Sequence, residues 1–298
     1  MLRPDFTPSI ARCAAKYFME AKEPLRFSYL GNTFTNTSKL QGKLNENTQM
    51  GAELINDPSV EADAEMISLV IEALKNTGLK QFQVTIGQVE YFKGLCQEAG
   101  LDEETEYDLR DCISAKNYFA AQELLEERQV AEPYRSVLLK TADLFGDLTS
   151  LSEMRQLVHN KRSLAAIDRL EQLYEVLKLY GIEQYVSFDL GMLSKYNYYT
   201  GVIFKAYTFG VGDAVVKGGR YDNLLHQFGK EAPAIGFMIV IDELIEALDR
   251  QKVELPLPAE KTRLSYAPND RADLAAKLAE AQKLRAQGKA VELVQKED

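Results

Sequence analysis

Two stretches of this sequence combine residue types and spacings that could do chemistry. One is Val216-Lys217-Gly218-Gly219-Arg220-Tyr221-Asp222, followed by Pro233-Ala234-Ile235-Gly236-Phe237. A Gly pair permits a tight backbone turn, from which Arg220 and Tyr221 can project into a cleft. Gly236 permits close backbone approach where a strand meets a ligand or a helix. The same residues serve equally well as an ordinary strand, Gly turn and helix, because a short motif alone is weak. The other stretch is Leu2-Arg3-Pro4-Asp5-Phe6-Thr7, followed by Gln49-Met50-Gly51-Ala52-Glu53 and Ala62-Asp63-Ala64-Glu65.

The elements that must position these residues can be read from periodicity. Thr7 can cap a helix with Pro8 in its first turn, running through Ile10, Ala14, Tyr17 and Phe18. Residues 26–34 alternate as a strand, 35–47 form a long hairpin loop, and 48–55 return as a second strand. A helix over 62–74 presents Met66, Leu69, Val70 and Leu74, and 83–86 is a short strand. Residues 88–161 are rich in Glu, Leu and Ala and read as a helical insertion. A clearer helix spans 163–180, with Ile167, Leu170, Leu173 and Leu177 on one face and Gly181 ending it. Strands are expected over 185–190, 199–209 and 234–240, then a helix over 242–249. A Pro-bearing linker over 253–262 leads to a β-α-β pattern in 263–298, too short for a whole α/β domain.

Bulk properties narrow the partners. The chain has 298 residues, 46% hydrophobic and 27% charged, enough for a large domain and a smaller one. Lys plus Arg number 35 against 45 Asp plus Glu, a net charge of −10. Nucleic-acid binders need a basic face for phosphates, so this balance argues against tRNA as the main partner. Tyr17, Phe18, Tyr29 and Phe34 lack interleaved basic residues and read as core, not as a base-stacking platform. Cys13, Cys96 and Cys112 are an odd set without CxxC pairing and read as buried, reduced thiols of a cytoplasmic protein. His159 and His226 are isolated, so no metal site and no cofactor is expected. Residues 102–106 and 126–128 read as solvated helix faces, and no apolar run spans a membrane.

Taken in order, the motifs become specific once Asn197-Tyr198-Tyr199-Thr200-Gly201-Val202-Ile203-Phe204 is added. The set resembles the catalytic domain of the class II histidyl-tRNA synthetases over roughly residues 1–250. That resemblance implies an α+β fold: an antiparallel sheet flanked by helices, with the helical insertion in its middle. The core is then 1–87 and 162–252, the insertion 88–161, the linker 253–262, and 263–298 the start of the family's C-terminal α/β domain. Sequence that this family carries before Leu2-Arg3-Pro4 is expected to be missing, leaving dimerisation through it in doubt and a sheet edge exposed.

The resemblance also marks departures. Adenylation builds negative charge on a triphosphate and needs fixed cations where that charge develops. The three positions at which synthetases place catalytic arginines are here Thr35, Ser194 and Glu243. Losing one such donor typically costs about a hundred- to a thousandfold in rate. Lys39, Lys43 or Lys195 would have to substitute, and Lys does not copy a bidentate Arg. By position, Asp5, Thr7, Gln49, Glu53, Tyr199 and Tyr221 match residues that hold histidine in the synthetases, although the family has Glu at the position of Asp5. Carboxylates and an amide suit an ammonium and an imidazole N–H, and Tyr can wall the ring. The alternative is a set of relic polar groups satisfied by one another.

This pattern is similar to the regulatory subunits of short-form ATP phosphoribosyltransferase. The resemblance implies a non-enzymatic chain that activates a separate catalytic subunit and mediates histidine feedback inhibition in histidine biosynthesis. Self-association is expected of the full-length protein. The insertion is a docking surface for the catalytic subunit or simply packing. The rival readings are a working synthetase, opposed by Thr35, Ser194 and Glu243, and a tRNA-binding or histidine-sensing module, opposed by the charge balance.

Overall fold

Two faces of unlike chemistry organise the sheet around which this chain is built. The computed structural model describes residues 2–36, 44–194, 198–254 and 261–296. They fall into two units, Met1–Val253 and Glu254–Asp298. In the first, helix α1 (Thr7–Tyr17) precedes a hairpin of β1 (Leu25–Phe34) and β2 (Glu46–Ile55), then α2 (Val60–Asn76) and β3 (Phe82–Gln88). The insertion contributes α3 (Val89–Glu98), α4 (Glu103–Ser114), α5 (Tyr118–Glu127), α6 (Tyr134–Thr141), the short β4 (Phe145–Gly146) and α7 (Leu148–Gln156). Then come α8 (Lys161–Tyr180), β5 (Val186–Asp189), β6 (Val202–Thr208), β7 (Val216–Arg220), β8 (Ala234–Val240) and α9 (Ile241–Arg250). The second unit is a parallel pair, β9 (Thr262–Tyr266) and β10 (Val291–Gln295), joined by α10 (Arg271–Ala286).

The first unit's sheet has eight strands in the order β1-β2-β8-β7-β6-β3-β5-β4. It is mixed, not purely antiparallel: β3 and β5 run parallel. A parallel pair needs a long crossover, and the helical insertion between these strands supplies it. Side chains alternate between the faces of a strand. Leu54, Val84, Ile86, Phe204, Ala206, Val216 and Ile235 share one face and one core with Ile67, Val70, Ile71 and Leu74 of α2 and Ile167, Leu170, Leu173 and Leu177 of α8. Across the other face the register aligns Tyr29, Gly51, Met238, Lys217, Lys205, Thr85 and Ser187 in one row. That face is polar and carries the candidate site.

Several local expectations change. Strand β7 replaces the expected Gly turn. Gly218 and Gly219 are extended, with no positive φ, and close packing explains their identity. A Cβ on Gly218 would lie 2.5 Å from the Phe204 ring, and one on Gly219 would lie 2.7 Å from the Tyr199 ring. Thr7 does not cap α1: Phe6 precedes the helix, and the Thr7 hydroxyl is drawn to Glu53. Tyr17 and Phe18 lie at the end of α1, where they are exposed rather than core, and Leu69 faces outward from α2. Cys13 is exposed and Cys112 half-buried, so only Cys96 is a buried thiol. Asp102 is more than a solvated charge, because it caps α4 by accepting from the Thr105 N–H at 2.8 Å. Lys39, Lys43 and Lys195 lie outside the described residues. Where sequence punctuation was strong the ends agree: Asn160 caps α8, and Gly181 ends it at φ 69°.

One ion cluster ties the sheet to its helices. Asp63 of α2 is fully buried and lies 2.6 Å from both Arg220 of β7 and Arg169 of α8. Arg220 also donates to the carbonyls of Asp57 and Ser59 and to Asp222. Removing one partner would strand a buried charge, which typically costs about 3–5 kcal/mol. Urea unfolding of Asp63→Ala is expected to show a loss of that size, whereas Arg26→Ala should change stability by under about 1 kcal/mol, because the Arg26–Glu65 pair is exposed.

Candidate functional site

The polar face of the sheet opens into a cavity of about 490 Å³. Of the six residues expected to hold a ligand, Asp5, Thr7, Gln49, Tyr199 and Tyr221 line it. The sixth, Glu53, lies directly beneath and is 1% exposed. Separate elements place them: the entry to α1 carries Asp5 and Thr7, β2 carries Gln49 and Glu53, and Tyr221 directly follows β7. Tyr199 lies in the segment before β6, with its ring against Gly219.

Glu53 is the hub of this inner end. The Thr7 hydroxyl donates to Oε1 at 2.8 Å, and the Tyr221 hydroxyl donates to Oε2 at 2.5 Å. Gly236 on the neighbouring strand must be Gly, because a Cβ there would overlap the Glu53 carboxylate. Burial pushes the Glu53 carboxyl up to about 8; the Tyr221 and Thr7 hydrogen bonds oppose that rise, and the Asp5 charge adds to it. Burial likewise raises the Tyr221 and Tyr29 phenols, with Glu53 the next cause for both. Asp5 accepts from the Thr7 N–H at 3.0 Å and from the Tyr198 hydroxyl at 3.3 Å. Tyr198 and Tyr199 pack as tilted rings 4.8 Å apart. Phe6 stacks on Tyr29 at 4.5 Å, closing the floor.

Four residues from Glu53 along β2, one polar atom of the lining lacks a partner among the described residues. Gln49 is 8% exposed, and its Oε1 accepts no hydrogen bond among the described residues. A buried amide oxygen left unpaired costs about 1–3 kcal/mol, so the position calls for an N–H donor. An ammonium or an imidazole N–H offers one.

The outer end has different chemistry. Thr35 and Glu243, two of the three positions where arginines were sought, line it together with Asp213, Asp242 and Glu246. The third, Ser194, is not among the lining residues. Asp242 accepts from the Thr48 N–H at 2.7 Å. Lys217 is the single cation among the described lining residues, and its Nζ reaches Asp213 at 3.1 Å. Sequence reading missed Asp213, Asp242 and Glu246 here, and gave Tyr29 only a core role; their convergence follows from strand register, which no local pattern announces. Arg220 does not enter this cavity. It lies on the other face of β7 and lines a separate hollow with Arg162, Arg169 and Gln172. No cluster of three His, Cys, Asp or Glu able to hold a metal occurs among the described residues, and no described helix is long and apolar enough to cross a membrane.

The raised Glu53 carboxyl predicts a pH signature. The unfolded carboxyl titrates near 4.5 and the folded one near 8. Between these values the folded state holds a proton that the unfolded state has released, so this group's contribution to stability falls as pH rises. Glu53→Gln is expected to flatten the fall in melting temperature between pH 5 and pH 8. A variant that tracks the parent across this range would show that Glu53 does not titrate there.

Comparison with known proteins adds to this geometry. The family model described as histidyl-tRNA synthetase matches residues 1–244. An ATP phosphoribosyltransferase regulatory subunit from Acetivibrio thermocellus is 43% identical over 293 residues, covering 98% of this chain and 69% of that protein. Among curated relatives it matches, the chain spans from 59% to 76% of their length. The crystal structure of an ATP phosphoribosyltransferase regulatory subunit/histidyl-tRNA synthetase from Bacillus halodurans is similar at TM-score 0.84 and 37% identity, over 98% of this chain and 74% of that one. A histidyl-tRNA synthetase from Nostoc shares the fold at TM-score 0.80 and 19% identity, over 99% of this chain and 70% of that one.

Proposed function

The chain belongs to the family of ATP phosphoribosyltransferase regulatory subunits, which carry the histidyl-tRNA synthetase domain, and from that premise we propose that it is itself such a subunit. In this reading it binds a separate short-form catalytic subunit, raises its activity, and makes it responsive to histidine. Its own cavity performs no adenylation.

The observation that carries this reading is the split character of the cavity. The inner end presents hydroxyls, the Glu53 carboxyl and tyrosine rings, and the unpaired Gln49 oxygen lies two strand repeats along β2 from it, a set suited to an imidazole and an ammonium. The outer end presents Asp213, Asp242, Glu243 and Glu246. Catalysis by adenylation needs cations aimed at the developing triphosphate charge. Four carboxylates with one lysine oppose such charge at every stage of the reaction. The site is thus suited to holding a small amine and unsuited to bringing ATP against it.

A regulatory role needs two states of the complex with different affinity for histidine. Occupation of the inner end would contribute to that difference through Glu53 and Tyr221, whose backbone continues from Arg220 into the Asp63 cluster and so to α2 and α8. The synthetase alternative requires histidine-dependent pyrophosphate exchange. The tRNA-binding alternative requires a basic face, which a net charge of −10 does not favour.

The test is phosphoribosyl-ATP formation by a short-form catalytic subunit, with and without this chain, across a histidine titration. The chain is expected to switch activity on and to confer inhibition by histidine, and Gln49→Ala should weaken that inhibition roughly ten- to a hundredfold, the worth of one hydrogen bond to a charged group. Unchanged activity in the presence of the chain would sink the reading. Pyrophosphate exchange driven by histidine would return the synthetase to the front.

A further inference from the structure

The register of β6 and β7 sets Lys205 directly opposite Lys217 on the polar face of the sheet. Directly opposed like charges in antiparallel strands destabilise the pair. Lys205 is half-buried, and its ammonium is held below the ordinary lysine value, first by burial and then by Lys217. Asp213 and Asp189 act against this, and Asp213 bonds Lys217 directly. The hydroxyls of Thr85 and Ser187, 3.2 Å apart, continue the same row beyond Lys205.

Lys217 lines the cavity, and Gly219, two residues on, carries the Tyr199 ring on the same face. One strand repeat of two residues is about 6.5–7 Å, close to the span of a small amino acid. The cavity therefore carries both signs. Acceptors lie along its β2 side, with Asp5 and Glu53 at one level and the Gln49 oxygen two strand repeats away, and on β7, at the level between them, Lys217 backed by Lys205 is the one cation among the described lining residues.

We propose that Lys217, with Lys205 behind it, is the specificity-determining counter-charge for the α-carboxylate of a zwitterionic amino acid held in this cavity. An arriving carboxylate would meet Lys217 from the cavity side, with Lys205 adding its charge from the neighbouring strand, and would compete with Asp213 for Lys217. It would also lessen the repulsion between the two opposed ammonium groups. This deepens the proposed ligand site and rests on it.

The test compares L-histidine with L-histidinol, which keeps the imidazole and the ammonium but replaces the carboxylate by a neutral alcohol. Isothermal titration calorimetry on the whole chain is expected to show histidine binding roughly ten- to a hundredfold tighter, the worth of one charge-assisted hydrogen bond. Lys217→Met should abolish that preference while leaving histidinol affinity unchanged, and Lys217→Arg should restore it. Circular dichroism melts establish that each variant is folded; where Lys217→Met is not, Lys217→Gln is read in the same way. Equal affinities in the parent, a preference that survives Lys217→Met, or loss of both ligands by a folded Lys217→Met would overturn the assignment while leaving the ligand site standing. If neither compound binds the parent, the ligand-site reading itself fails and takes this inference with it.

Discussion

Arg220, the last residue of β7, and Tyr221, which follows it, send their side chains to opposite faces of the sheet, and each meets a buried carboxylate. On the helix side Arg220 meets Asp63, which also holds Arg169. On the cavity side Tyr221 meets Glu53, which has hydroxyl partners but no cation. The contrast is physical. Burial raises the Asp63 carboxyl as well, but two guanidinium groups oppose that rise and hold Asp63 as a tie between β7, α2 and α8. Glu53 has only dipoles to offset the same cost, and its carboxyl is pushed up to about 8 as a result. One carboxylate is structural and the other is left with unmet electrostatic demand. An N–H-bearing cation is the partner proposed for it, with the unpaired Gln49 oxygen two strand repeats further along β2.

The glycines around this pair follow from the same constraint. Gly236 leaves room for the Glu53 carboxylate, and Gly219 leaves room for the Tyr199 ring. A strand interior normally loses stability to glycine, through entropy and lost packing. Here the floor is thin so that large functional side chains from neighbouring elements can lie across it. Stability is recovered on the other face, where α2 and α8 bury a continuous apolar layer against the sheet.

Much of this was legible in the sequence, and the failures share a cause. Helix α8 is legible to within two residues because the Ile167-Leu170-Leu173-Leu177 stripe and Gly181 agree, while the cap at Asn160 lies outside that reading. Strand β1 was legible from its alternation. Strand β7 was not, because two adjacent glycines carry no alternation and signal a turn as strongly as a close approach. With β7 hidden, the register of Lys205 against Lys217 was hidden too. Thr7 was taken for a helix cap because its position fits one; its actual partner, Glu53, is 46 residues away, and only the folded hairpin brings them together. Local signals recovered elements, whereas the electrostatic character of the site depended on pairings between strands distant in sequence.

The two ends of the cavity bear on why a catalytic scaffold would suit a regulatory task. A working adenylation site must bind an amino acid, bind a triphosphate, and stabilise charge that develops between them. Only the last two need the outer cations. Thr35 and Glu243, among Asp213, Asp242 and Glu246, offer no such cations, while the residues proposed to meet a small amine lie elsewhere in the lining. Such a cavity can still convert ligand concentration into occupancy, and occupancy acts on Glu53 and Tyr221. Because Tyr221 follows Arg220 in the chain, any shift of the tyrosine works against the Asp63 tie and therefore against α2 and α8. Coupling of this kind requires that the ligand interact differently with two arrangements of the tie. A scaffold with one rigid buried ion cluster and one electrostatically frustrated carboxylate, joined through a single peptide bond, has the elements from which such a difference can be built.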